Sequence, residues 1–105
     1  MLHREQQIAS NLIRSALAQG WTVSVYDAIH TRAGEWTVER STNFEQIFDS
    51  LDTTEGDTLR FRNSEGKPRG WAVLIWGNDD DLIHDHSDSL TIDDEGRIVS
   101  EAVAA

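Results

Sequence analysis

The segment 70–77 limits the possible folds of this chain more than any other stretch. It reads Gly70-Trp71-Ala72-Val73-Leu74-Ile75-Trp76-Gly77 and has no polar side chain. With the two-residue period of a strand, Trp71, Val73 and Ile75 point one way and Ala72, Leu74 and Trp76 the other. A strand that is apolar on both faces belongs at the centre of a sheet or under a cover on each side. The rest of the chain must therefore supply neighbouring strands and a packed layer. The run is also far short of the roughly 20 residues needed to cross a bilayer.

Those neighbours can be read from changes in hydrophobic period. Ile8, Leu12, Ile13, Ala16 and Leu17 recur at helical spacing, and Gly20 stands where a left-handed C-cap is expected.

 Ala9 lies on the same stripe. Residues 21–27 then alternate, with Trp21, Val23 and Val25 on one face, and residues 35–40 alternate again through Trp36 and Val38. Thr42 and Glu45 have the spacing of a capping box, which predicts a second helix carrying Phe44, Ile47, Phe48 and Leu51, with Gly56 ending the segment. Residues 58–62 predict a strand with Leu59 and Phe61 inward and Arg60 and Arg62 outward. Gly66 and Pro68 mark a hairpin loop before the apolar run. Beyond it, residues 82–87 suit a returning strand. Thr91-Ile92 and residues 97–99 flank Asp93-Asp94-Glu95-Gly96 as a small hairpin.

The order helix–strand–strand thus occurs twice, over residues 8–40 and 42–77. The expectation is an α+β fold in which two αββ units form one mostly antiparallel sheet of four or five strands, with two helices packed on one face. The 105 residues make a single domain, with 1–5 and 101–105 frayed. The expected core joins Leu12, Ile13, Leu17, Phe44, Ile47, Phe48 and Leu51 from the helices to Val23, Val38, Phe61, Val73 and Ile75 from the sheet. Four tryptophans enlarge what so short a chain can bury, at roughly 150–250 Å² each, and argue against a disordered acidic chain.

Composition also excludes some chemistry. With no cysteine there is no disulfide, thiolate metal site or thiol nucleophile. The N-terminal residues contain no apolar h-region, so no signal peptide is expected and a cytoplasmic location is. The net charge of −10 is unevenly placed. Residues 78–105 carry nine acids and one base, Arg97, and so hold eight of the ten net negative charges. Such a surface repels nucleic acid and anionic lipid and attracts a basic partner.

The strings Gly70-Trp71-Ala72-Val73-Leu74-Ile75-Trp76-Gly77-Asn78 and Leu82-Ile83-His84-Asp85-His86-Ser87-Asp88 resemble a segment of small uncharacterised proteins carried by bacterial phages and plasmids. Residues 21–27 and 35–43 fit the same pattern, so the resemblance covers about three quarters of the chain. Residues 28–34 make a longer turn than that pattern has, and the acidic end departs from it. The resemblance implies a mobile-element setting and carries no activity with it.

Few residues suggest a reaction. On a continuous strand His84, His86 and Asp88 would share one face, and two imidazoles with a carboxylate can hold Zn²⁺. The same string begins the H-x-H-x-D-H signature of metallo-β-lactamase-type hydrolases but has Ser89 where that signature needs histidine. A polar edge strand that discourages sheet-to-sheet pairing accounts for it without a metal. Asp79-Asp80-Asp81 fails the EF-hand pattern, because His84 stands at the sixth place and Leu90 at the twelfth. His30, near Asp27, is a lone loop histidine. No G-x-S-x-G elbow or phosphate-binding glycine loop occurs.

The function expected is therefore that of a non-enzymatic acidic binding protein without a cofactor. Asp79, Asp81, Asp85, Asp88, Asp93, Asp94 and Glu95 would meet a basic, nucleic-acid-binding host or defence protein in place of phosphates. The alternatives are an immunity or antitoxin-type partner of a basic toxin, and a small metal-dependent enzyme using His84, His86 and Asp88. Self-association into a homodimer through Trp76 or Trp21 is a further option, since helices on one face leave the other face bare. Arg60, Arg62, Lys67 and Arg69 form a basic cluster that suits the acids of the same chain or of a second copy.

Overall fold

The computed structural model describes residues 3–26, 37–51, 56–77 and 82–99. Helix α1 (His3–Ala18) buries the expected stripe, with Ile8, Ala9, Leu12, Ile13 and Ala16 sealed from solvent. Its end is a Schellman motif. The Gly20 N–H donates to Leu17 O at 2.9 Å and the Trp21 N–H to Ala16 O at 3.2 Å, and Gly20 takes the positive φ of 82° that this turn requires. Residues 3–5, expected to fray, belong to α1. Glu5 is buried and accepts the Gly77 N–H at 2.6 Å, which ties the first helical turn to the end of the central hairpin.

Strands β1 (Thr22–Tyr26), β2 (Val38–Ser41), β3 (Gly56–Arg62), β4 (Pro68–Ile75) and β5 (Ile83–His86) form one antiparallel sheet in the order β2-β1-β3-β4-β5. Helix α2 (Phe44–Asp49) lies between β2 and β3 in sequence. Both helices pack on one face, so the α+β architecture with two αββ units is the observed one, with β5 added at the edge. Gly56 opens β3 and does not end the preceding segment. Trp36 and the rest of residues 27–36 lie outside the described residues.

The cap of α2 sits one residue later than the T-x-x-E spacing suggests. Asn43, not Thr42, caps the helix, its Oδ1 accepting from the Gln46 N–H at 3.1 Å. Ser41 decides the choice, because its hydroxyl accepts the Asn43 N–H at 3.0 Å and donates to Gln46 Oε1 at 2.6 Å. That relay satisfies the donor a capping box would have satisfied directly.

The register of β3 on β4 decides which side of the apolar run is core. Leu59 pairs with Ala72, Phe61 with Gly70 and Asp57 with Leu74. Cross-strand partners share a face, so Ala72, Leu74 and Trp76 join Leu59 and Phe61 beneath the helices, all buried. Val73 and Ile75, expected in the core, lie on the opposite face with Trp71, and all three are half-buried. Trp21 and Trp76 are buried and unavailable as interface residues. Trp21 packs against Phe61 with ring centroids 6.2 Å apart, and Trp76 Nε1 donates to buried Asp57 Oδ2 at 2.9 Å. The helix-side core also takes Leu82, Leu90 and Ile98 from the C-terminal segment, apolar positions that the helical stripes alone do not reveal.

Candidate functional site

Within the acidic end, residues 91–99 form a hairpin. Ile92 and Ile98 form an antiparallel bridge, the Asp93 N–H donates to Arg97 O at 2.9 Å and the Val99 N–H to Thr91 O at 2.7 Å. Asp93 shapes the turn between them. Its Oδ1 accepts from the N–H groups of Glu95 and Arg97, both at 2.9 Å, and Gly96 takes a φ of 88°. Aspartate and glycine are placed here by their local chemistry, one as an acceptor for its own turn and one for its left-handed conformation.

This hairpin docks on α1 along residues 4, 8, 11 and 15, spacings of four, three and four that share one helical face. Arg4 Nη1 bonds Glu95 Oε1 at 2.7 Å. Asn11 Nδ2 donates to Glu95 O at 2.9 Å, and the Ile98 N–H donates to Ser15 Oγ at 2.9 Å. At Gly96 the approach is closest, because a Cβ there would stand 2.7 Å from both Ile8 Cγ2 and Ile8 O. Arg4 holds the Glu95 carboxyl below its ordinary pKa of 4.5, first by the hydrogen bond and then by its charge.

The carboxylates chosen from the sequence are thus divided by the fold. Asp85 pairs with Val73 and lies on the sheet face away from the helices. Its Oδ1 accepts the His86 N–H at 2.9 Å. Asp88 is exposed in the turn that follows β5. Asp93 and Asp94 are exposed on the docked turn. Glu95 is committed to Arg4. Asp79 and Asp81 lie outside the described residues, as does Asp80. Of the described acids in this set only Asp85 stands on a strand, so they form no evenly spaced row.

A cleft of about 570 Å³ opens beside the docked turn. Ile8, Ile83 and Ile92 supply its apolar wall, and Arg4, His86 and Asp94 its polar rim. His86 Nδ1 lies 2.9 Å from Ser87 O. A carbonyl only accepts, so Nδ1 carries the proton in this contact. The metal arrangement drawn from His84, His86 and Asp88 needs a continuous strand, and the fold supplies none. Val73 faces Asp85 while Leu74 faces Ile83, a bulge that leaves His84 without a paired position, and β5 ends at His86 before Asp88. Among the described residues no three His, Cys, Asp or Glu side chains are placed to hold a metal ion.

Ser87 and Ser89 have structural partners. Ser87 Oγ accepts the Trp71 N–H at 3.1 Å, and Ser89 Oγ donates to Arg69 O at 2.9 Å. Arg62 Nη1 donates to Gly66 O at 3.0 Å within its own hairpin, while the C-terminal turn takes its cation from α1. Sequence reading put Ile8 on the apolar stripe and did not mark Arg4, Asn11 or Ser15: Arg4 fell among residues expected to fray, and two polar residues beside an apolar stripe do not announce a docking face. Among family models, curated proteins and solved structures, none matches this chain.

Proposed function

We propose that this chain is a non-enzymatic acidic binding protein whose C-terminal turns engage a basic protein. One observation carries the reading. Arg4, Asn11, Ser15 and the close approach of Gly96 fix the 93–96 turn against α1, and Asp93 and Asp94 stand exposed on it. Acids presented by a fixed turn lose little conformational freedom on binding, and concentrated negative charge steers a cationic surface into place. Asp88 adds to the same segment, and Asp79 and Asp81 precede it in sequence. The natural partner is a nucleic-acid-binding host or defence protein, met in a phage or plasmid setting, with the carboxylates in place of phosphates.

The test is affinity capture from a bacterial host extract with the wild-type chain and with the triple variant Asp88→Asn, Asp93→Asn, Asp94→Asn. The variant keeps the turn, because Asn63 performs the work of Asp93 in the other hairpin. The wild type is expected to retain a basic protein that added salt and competing DNA or RNA both release, and the variant to lose it. An unchanged set of captured proteins would remove the proposal. If the captured protein is a toxin, lethal without this chain, the partner is of the immunity type.

A further inference from the structure

The sheet face turned away from the helices has a charge layout across three neighbouring strands. On β4, Trp71, Val73 and Ile75 form a half-buried apolar stripe. On one flank β3 presents Arg60 and Arg62, with Arg60 paired to Trp71. On the other, β5 presents Asp85, paired to Val73. No described helix packs on this side. The order is basic, apolar, acidic.

We infer that this face is the interface of a homodimer, in which the β4 stripe of one copy packs on that of the other. The occupant follows from charge complementarity. A two-fold axis lying in the face and running along β4 turns the second copy over, so that its β3 lies above β5 of the first. The arginine flank of each copy then covers the Asp85 flank of its mate, and both contacts form at once, as an isologous interface requires. Facing sheets lie about 10 Å apart, a gap that an arginine and an aspartate reaching toward each other can close. A two-fold axis across the strands would instead set arginine on arginine. The chain is acidic overall, yet on this face Arg60 and Arg62 flank the apolar stripe on one side and Asp85 flanks it on the other. The acidic turn at 93–95 lies on the helix side and stays outside the interface, so the dimer stands or falls apart from the proposed partner binding.

Sedimentation velocity over a wide concentration range tests the inference, with the near-ultraviolet circular dichroism of the tryptophans as the measure of folding. The wild type is expected to reach the mass of two chains. Arg60→Asp and Asp85→Arg, each alone, are expected to sediment as one chain, because each sets like charges across both contacts. Mixed in equal amounts, the two variants restore opposite charges at both contacts and are expected to sediment as two chains. Val73→Lys is expected to remain a folded single chain. A wild type that stays a single chain at every concentration would overturn the inference. So would a Val73→Lys dimer, or a mixture of the two charge variants that stays monomeric while the wild type dimerises.

Discussion

Two turns of this molecule have the same design and different surroundings. Asn63-Ser64-Glu65-Gly66-Lys67 joins β3 to β4, and Asp93-Asp94-Glu95-Gly96-Arg97 closes the C-terminal hairpin. In each, the first side chain accepts the N–H groups two and four residues on, at 2.9 and 3.0 Å in one case and 2.9 Å twice in the other. In each, the glycine has a positive φ, 85° at Gly66 and 88° at Gly96. The first turn projects into solvent, where a Cβ on Gly66 would meet nothing within 4 Å. The second is pressed onto Ile8 and bridged by Arg4. Local sequence sets the shape of such a turn, whereas the neighbouring helix decides whether its charges are fixed in place.

The glycines separate the two turns most strongly. Gly66→Ala is expected to cost about 1–2 kcal/mol, the penalty of left-handed backbone for a residue with a Cβ. Gly96→Ala carries that penalty and also drives a methyl into the α1 backbone, adding about 1–3 kcal/mol of overpacking. Urea unfolding of both variants measures the difference, and equal losses would mean the second turn is not docked. Next comes Ser15→Ala, which strands the Ile98 N–H and is expected to cost about 1–3 kcal/mol. No position in the first turn has an equivalent, so this loss reports on docking alone.

Exchanging the leading residues sharpens the comparison at smaller cost. Asn63→Asp and Asp93→Asn each keep an acceptor in the same place, and each is expected to shift stability by less than about 0.5 kcal/mol. A larger change in either would show that the two turns differ in more than their surroundings. The smallest effect belongs to the exposed Arg4–Glu95 bridge. Glu95 has a folded-state pKa below 4.5, so its contribution to stability is fully present above that value and lost as pH falls through the folded pKa. Glu95→Gln is expected to abolish this component of the acid-unfolding curve, and a curve identical to the wild type would remove the bridge from the account.

The elements themselves were legible because hydrophobic period distinguishes helix from strand, and Gly20 and Gly66 punctuate them. The inward side of β4 was not, since Ala72, Leu74 and Trp76 look no more buried in sequence than Trp71, Val73 and Ile75. Only the pairing with Leu59 and Phe61 distinguishes the two sides. Thr42 and Asn43 are both able to cap a helix, and the Ser41 hydroxyl settled the choice from outside the helix. At the candidate site the turn was legible from Asp93 and Gly96. Its attachment was not, because Arg4 and Glu95 are 91 residues apart in sequence and nothing local to either marks the other as its partner.

Amide hydrogen exchange at Ile98 tests most directly whether the acidic turn is held by the helix. Its N–H is bonded to Ser15 Oγ, and the account predicts protection close to that of the amides joining β3 to β4. Exchange at the rate of an unfolded peptide would contradict it, because the acids would then hang from a loose end with no fixed surface to present.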